Sequence, residues 1–400
     1  MGNRTSVSTV TMTVGDDELA PELTHAPTRR WLATRGLPAR HRLMTFRPLA
    51  EARLRTVRQY LLDQGADADA LAEDIASHLL LGHLTAEGGE ADQVVLDGAT
   101  GRVSSLWLYE KNPDSAELFP LASSVEALAG HLETVDDFAA LRGDFADLSG
   151  ATGPAAVAEA EARLAARFAE EDGRPVPAFW RIAARIRPLA LIAAPGTDLR
   201  LDLPSGLLEE EFGAEEIVRI APAGLPAVLE HEPTRRFLTE VGLPRDAGMF
   251  GLWRDEYLMR PLAETEEAGT GAGATPGGDG DRGTLPADAG LLVCLGSLVH
   301  DFEVVIHGRT GELYHRLYDG AAITPLNADV STLAFTLWLH HREGRIDAAE
   351  DFTDGFYLYL AGTMTEVLAS VDPVACAPTT DPDDYRYWPE VFHDEAGGVL

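Results

Sequence analysis

Apolar residues in the stretch Pro233–Pro244 recur at helical spacing, with Phe237, Leu238 and Val241 on one face between polar neighbours. Pro233 suits the first turn, where its φ is already set and its missing N–H has no partner to lose. Gly242 suits the left-handed position after the last turn, and Pro244 forbids continuation. The pattern predicts a short amphipathic packing helix marked at both ends. The same pattern stands at Pro27–Pro38, identical at eight of twelve positions. A match that dense points to an internal repeat.

Periodicity predicts the remaining elements in two parallel series. In the first, Thr9–Val14 alternates as a strand. Leu54, Val57, Leu61 and Leu62, then Leu71, Ile75 and Leu79, predict two helices, or one broken near Gly65, between Ala50 and Leu81. Val94–Leu96 and Val103–Leu108 read as strands joined by a hairpin, with Gly98 and Gly101 supplying positive φ. Ser123-Ser124 caps a helix running through Leu132, and further helices follow at Pro154–Glu171 and Phe179–Ile186. In the second series Leu207–Phe212 is helical, Glu216–Ile220 is a strand, and Met249–Tyr257 carries two aromatics. Strands follow at Leu291–Leu295, Phe302–Ile306 and Glu312–Leu317. Asp329 then caps a helix through Trp338, with helices at Phe356–Val371 and Tyr385–Phe392. Residues 268–290 are dominated by Gly with Thr, Ala, Pro and Asp, too little apolar surface to order a chain; a disordered loop is expected there.

Followed forward, the two copies keep step. Arg47-Pro-Leu-Ala-Glu51 answers Arg260-Pro-Leu-Ala-Glu264, and Leu81-Gly-His-Leu84 answers Leu295-Gly-Ser-Leu298. Val94-Val-Leu-Asp-Gly-Ala-Thr-Gly101 answers Val304-Val-Ile-His-Gly-Arg-Thr-Gly311, and Trp180 and Trp388 recur near the ends. With Pro195-Gly196 and Pro204-Ser-Gly206 as the join, the expected domains are 1–188 and 189–400. The element order predicts an α+β class: two tandem domains, each an antiparallel sheet covered by helices on one side.

Charge sharpens the picture. The chain of 400 residues carries a formal net charge of −33, and it is unevenly spread. Residues 1–150 hold 13 basic and 23 acidic groups, residues 151–203 hold 7 of each, and residues 204–400 hold 12 and 35. That field repels nucleic acid and anionic membrane and favours a basic protein partner. Lys111 is the single lysine among 32 basic residues, a usage expected of a high-GC bacterial genome. The cysteines Cys294 and Cys376 lie too far apart in sequence to suggest a disulfide framework, and neither a signal peptide nor a membrane-length apolar run is evident. A soluble cytoplasmic protein is expected.

Candidate chemistry is sparse. The run Gly269-Thr-Gly271-Ala-Gly273 lacks the Lys-Ser/Thr ending of a phosphate loop. His340 and His341 are adjacent, so on a helix their rings diverge rather than converge on a metal. Glu209-Glu-Glu211 and Asp381-Pro-Asp-Asp384 read as solvated acidic runs. His25 and His231 recur just before the two motif helices, where a side chain can satisfy free backbone N–H groups, and the paired arginines after them read as part of packing helices. No catalytic residue, cofactor or metal site is expected.

The block Leu-x-His-x-Pro-Thr-Arg-Arg-Phe-Leu-x-x-Val-Gly-Leu-Pro, the later Leu-Gly-x-Leu, the Gly-x-Thr-Gly hairpin, Pro325-Leu-Asn327 with an acidic cap, and a final Trp helix together resemble the fourth family of immunity proteins in the SUKH superfamily. The likeness runs over nearly the whole chain, twice. The first copy departs from it with Ala122 in place of the Asn and a helical region before its hairpin. The resemblance implies a non-catalytic cytoplasmic protein that binds and neutralises a polymorphic toxin, a nuclease or deaminase in many cases. The alternative is a regulatory or scaffold protein that uses the same fold for protein–protein docking. The family's motifs maintain the fold while its toxin-facing surface varies, so contact residues do not carry over from it. Aromatics beside carboxylates suit a basic partner, which places the expected contact at Trp253, Asp255, Glu256, Tyr257, Asp301 and Glu303.

Overall fold

A computed structural model of the chain describes residues 11–400 apart from 52–53, 87–88, 110–111, 173–174, 255–257, 268–285, 287, 318–321, 379–384 and 395–398. It divides into two compact units. Unit one comprises residues 1–149, 159–185 and 352–360; unit two comprises 150–158, 186–351 and 361–400.

In unit one, α1 (Ala26–Thr34) is the first motif helix. The sheet is a meander of β1 (Met44–Thr45), β2 (Leu79–Ala86), β3 (Gly89–Leu96), β4 (Val103–Trp107) and β5 (Glu117–Ala122), each antiparallel to the next. Between β1 and β2 stand α2 (Val57–Asp63) and α3 (Glu73–Ala76); after β5 come α4 (Val125–Ala139), α5 (Pro154–Asp172) and α6 (Ala178–Ile186).

Unit two repeats the plan. After α7 (Leu207–Phe212) and the second motif helix α8 (Glu232–Glu240), its sheet orders β6 (Phe250–Leu252), β7 (Leu292–Leu298), β8 (Phe302–His307), β9 (Leu313–Leu317) and β10 (Thr324–Asn327) as the same meander. A short α9 (Leu262–Glu267) precedes β7, and α10 (Val330–Glu350), α11 (Thr353–Val371), whose residues up to Leu360 belong to unit one, and α12 (Tyr387–His393) close the chain. The chain is thus α+β, built as two tandem domains.

The likeness reaches fine detail. β2 bulges between Leu80 and Gly82 and β7 between Cys294 and Gly296; β4 and β9 shift register at Val103/Ser104 and Leu313/Tyr314. Arg29 Nη1 donates to the Leu23 carbonyl at 3.0 Å and Arg235 Nη1 to the Leu229 carbonyl at 3.0 Å, so one arginine of each motif pair ties down the turn before its own helix. Gly101 and Gly311 have φ of +81° and +78°, and at each a Cβ would lie 2.7 Å from a threonine hydroxyl, Thr28 or Thr234, and against the preceding histidine ring. No other residue type fits there without displacement.

Several expectations are corrected. Each sheet is covered on both faces, not one. In unit one Val57 and Leu61 of α2 and Ile75 of α3 pack with Leu80, Val95 and Leu106 on one face. Val94 and Leu96, turned the other way by strand alternation, are equally buried. In unit two Leu262 and Ala289 cover Leu292, Cys294 and Val305, while Val304 and Ile306 are buried opposite. Leu62 is 60% exposed, outside the helical stripe expected to hold it. Leu79 begins β2 rather than ending a helix, because a strand buried on both faces shows no alternation to distinguish it from a helical run. Only Gly101 of the first hairpin takes positive φ; Gly98 is instead needed for close approach to the Glu22 carbonyl. The Gly-rich run to Gly290 lies largely outside the described residues; of its end, Ala289–Leu291 forms a 3₁₀ turn.

Candidate partner-binding surface

The motif histidines do not cap their helices with side chains. His25 and His231 occupy the residue before the first turn, but each ring Nδ1 pairs with the hydroxyl of Thr28 or Thr234, at 2.8 Å in both repeats. Their backbone N–H groups donate to Gly98 and Gly308 carbonyls at 2.9 and 2.8 Å, which ties each motif helix to its hairpin. The recurrence is structural.

The other polar clusters are likewise occupied within the chain. His340 Nε2 pairs with the Val399 carbonyl at 2.8 Å, and burial lowers its pKa. His341 Nδ1 turns instead to Glu211 Oε1 at 2.9 Å, where Arg345 Nη1 also arrives at 3.3 Å. Glu211 is thus occupied by His341, Arg342 and Arg345 of its own unit rather than by an external cation. The acidic run from Asp381 and the glycine run from Gly269 lie outside the described residues. Among the described residues no three His, Cys, Asp or Glu side chains converge as metal ligands. Burial pushes the Cys376 thiol up to about 12, away from nucleophilic use at neutral pH.

A buried polar node links the closing tryptophan of each repeat to its sheet, and here the copies differ. In unit two Asn327 on β10 accepts from Trp388 Nε1 at 3.1 Å and donates to Thr336 Oγ1 at 3.2 Å and to Asp372 Oδ2 at 3.0 Å. In unit one Ala122 replaces the Asn and His131 replaces the Thr. Trp180 Nε1 donates to the Leu121 carbonyl at 2.6 Å, and the His131 ring stands 3.8 Å from the Asp172 carboxylate. Burial pushes the His131 imidazole down to about 4, against the pull of Asp172.

Of the six residues expected to meet a partner, Asp255, Glu256 and Tyr257 lie outside the described residues. Trp253 is half-buried against the cluster of Leu262, Leu292 and Cys294. Asp301 is exposed in the turn between β7 and β8, at φ +62°. Glu303 faces its cross-strand neighbour Arg316, whose Nε reaches Oε2 at 2.9 Å, and both are buried. Asp301 is thus the one described carboxylate of the six that points to solvent; Glu303 is committed inside the fold, because its partner strand supplies a cation directly opposite.

A different surface, not expected from the sequence, lies at the end of the first sheet. Trp107, the last residue of β4, is 47% exposed, and Tyr109 two residues on is 53% exposed. The matching last residue of β9, Leu317, is 46% exposed. Glu117 stands directly across from Trp107 on β5 and is exposed, as is Asp114 in the short 3₁₀ turn between the strands. The available signal was the run Leu106-Trp-Leu-Tyr109, which stays apolar on both strand faces where the hairpin runs out of partners.

A twice-built α+β module, with its recurring polar residues spent on holding the fold and aromatic side chains left on its surface, has the make-up of a binding protein. A family model described as SUKH-4 immunity protein matches residues 8–183 and again residues 203–394. The chain belongs to that family, as a tandem duplication. Searches of curated proteins and of solved structures found no match. Among the described residues no helix is long and apolar enough to cross a membrane.

Proposed function

We propose that this protein is an immunity factor that binds a polymorphic toxin in the bacterial cytoplasm and silences it by occlusion, without catalysis of its own. The observation that carries the reading is the family match over both repeats. The toxin would be a basic domain, a nuclease or deaminase: the −23 balance of residues 204–400 steers a cationic partner and repels that partner's nucleic-acid substrate. Trp253 and Asp301, with Asp255, Glu256 and Tyr257 two to four residues after Trp253 in sequence, remain a proposed contact on the second repeat; Glu303 drops out of it, being buried and paired with Arg316.

The test is protection. A toxin domain encoded beside this gene is expressed in a sensitive host with and without the full chain. Restored growth together with a stoichiometric complex on gel filtration is the expected result. Persistent killing by every adjacent toxin at matched expression defeats the reading.

A further inference from the structure

The exposed end of the first sheet has features that a solvated strand end does not need. Two large aromatic side chains, Trp107 and Tyr109, are about half exposed on the same short stretch, whereas Phe46, Phe145, Phe168, Phe179 and Trp180 of the same unit are fully buried. Singly exposed apolar residues are ordinary, but adjacent exposed aromatics are the side chains that dominate binding energy when a partner covers them. Carboxylates flank them: Glu117 directly across the ladder and Asp114 in the turn, both exposed. An indole face beside carboxylates suits a guanidinium or ammonium, which gains from the ring's negative face and from the carboxylate together. The second repeat keeps a large apolar side chain, Leu317, exposed at the matching position, and Tyr318 and Asp319 follow it in sequence.

We propose that Trp107 and Tyr109, with Asp114 and Glu117, form a docking surface for an arginine- or lysine-bearing segment of a partner protein. The occupant is identified by charge complementarity; only its identity as a toxin rests on the immunity reading. Asp114 and Glu117, both exposed, supply the charge, and the rings supply the apolar anchor.

The test uses the full chain labelled with 5-fluorotryptophan and a nine-arginine peptide as probe, with the nine-citrulline peptide as the neutral control. Because the chain carries a net charge of −33, bulk binding is uninformative, and the readout is the ¹⁹F resonance of Trp107, assigned by its loss in Trp107→Phe. The expected result is a saturable shift of that resonance with the arginine peptide and none with the citrulline peptide. Asp114→Asn with Glu117→Gln should weaken the midpoint about tenfold, while Leu62→Ala, at an exposed apolar site elsewhere in the same unit, leaves it unchanged. A Trp107 resonance that stays still while the arginine peptide binds, or that moves equally with citrulline, overturns the proposal. So does a shift produced by raising the protein concentration alone, which would assign the surface to a second copy of this chain. A responsive Trp107 in a protein that fails to protect cells removes the toxin reading and keeps this surface. Protection with a silent Trp107 does the reverse.

Discussion

Phe179 and Tyr359 lie ring on ring, with centroids 3.7 Å apart and planes inclined by 10°. Phe179 belongs to α6 of the first repeat, whereas Tyr359 comes from α11 of the second. Both belong to unit one, which gathers residues 352–360 into its core. Phe356 adds edge contacts to Phe119 and Phe179 at 5.5 and 5.6 Å, and Arg181 stands over the Phe352 ring at 5.4 Å. The start of α11 bends to allow this: Asp354, Gly355 and Phe356 leave helical geometry, and Gly355, at φ +100°, lies against Phe119 where a Cβ has no room.

The two repeats therefore cannot be separated at the sequence boundary without loss. Tyr359→Ala is expected to destabilise unit one by about 3 kcal/mol, the range for removing a buried aromatic ring. A fragment of residues 1–188 should be weaker still, because it lacks the whole segment. Urea unfolding of the full chain, the variant and the fragment checks both; a 1–188 fragment as stable as unit one in the full chain would show that the aromatic contacts contribute nothing.

The matched glycines give a second measurement. Gly101→Ala and Gly311→Ala each place a Cβ at positive φ and against a histidine–threonine pair. Each should cost about 2 kcal/mol or more, and by similar amounts, since the surroundings agree to within the quoted distances. The controls Gly65→Ala and Gly150→Ala also have positive φ but no atom within 4 Å, and should lose only the backbone part, about 1 kcal/mol. Equal losses at all four positions would mean that the histidine contact is not tight.

Much of this architecture could be read from the chain because duplication prints each signal twice. The motif helices, the Thr-Gly hairpins and the caps at Ser124 and Asp329 needed only local chemistry. What escaped notice depends on tertiary partners. The edge strands β5 and β10 each contain a proline, Pro120 and Pro325, which reads as a breaker until the sheet edge is known to tolerate it. Glu303 looked like a surface acid because Arg316, thirteen residues away, becomes its neighbour only once β8 and β9 pair. Trp107 is misleading for the opposite reason: an aromatic in a strand is ordinarily core, and the run Leu106–Tyr109, apolar at every position, hints at an exposed end that the packed sheet then shows.

The divergent polar nodes predict a coupled pair. Ala122→Asn alone introduces an amide without the threonine hydroxyl that receives Asn327 in unit two, and His131→Thr alone leaves a void beside Phe168 and Trp180, whose rings lie 5.3 and 4.9 Å from the imidazole. Each single change should cost about 2 kcal/mol. Together they recreate the Asn–Thr–Asp–Trp arrangement of unit two, so the double variant should lose about 1–2 kcal/mol less than the sum. Strict additivity in a double-mutant cycle would argue that the two nodes are not interchangeable.

Glu343 on α10 is expected to make stability fall between pH 6.5 and 8. It is 1% exposed, neither carboxylate oxygen has a hydrogen-bond partner among the described residues, and burial, with Asp347 one turn on, pushes its acid up to about 8. The folded protein then holds a proton that the unfolded chain releases near 4.5, so stability from this group is full below pH 4.5 and declines as pH rises to about 8. His131 and His315 act in the opposite sense. Burial pushes each down to about 4, so they weaken the fold as pH falls from about 6.5 and are silent above it. The interval from pH 6.5 to 8 thus isolates Glu343, where the native chain should lose on the order of 1–2 kcal/mol. Glu343→Leu should be more stable than the native chain at pH 8 and lose that slope, because an apolar side chain needs no proton to remain buried. Urea midpoints at pH 6.5 and 8 that move in parallel for both proteins would show that Glu343 is not the group responsible.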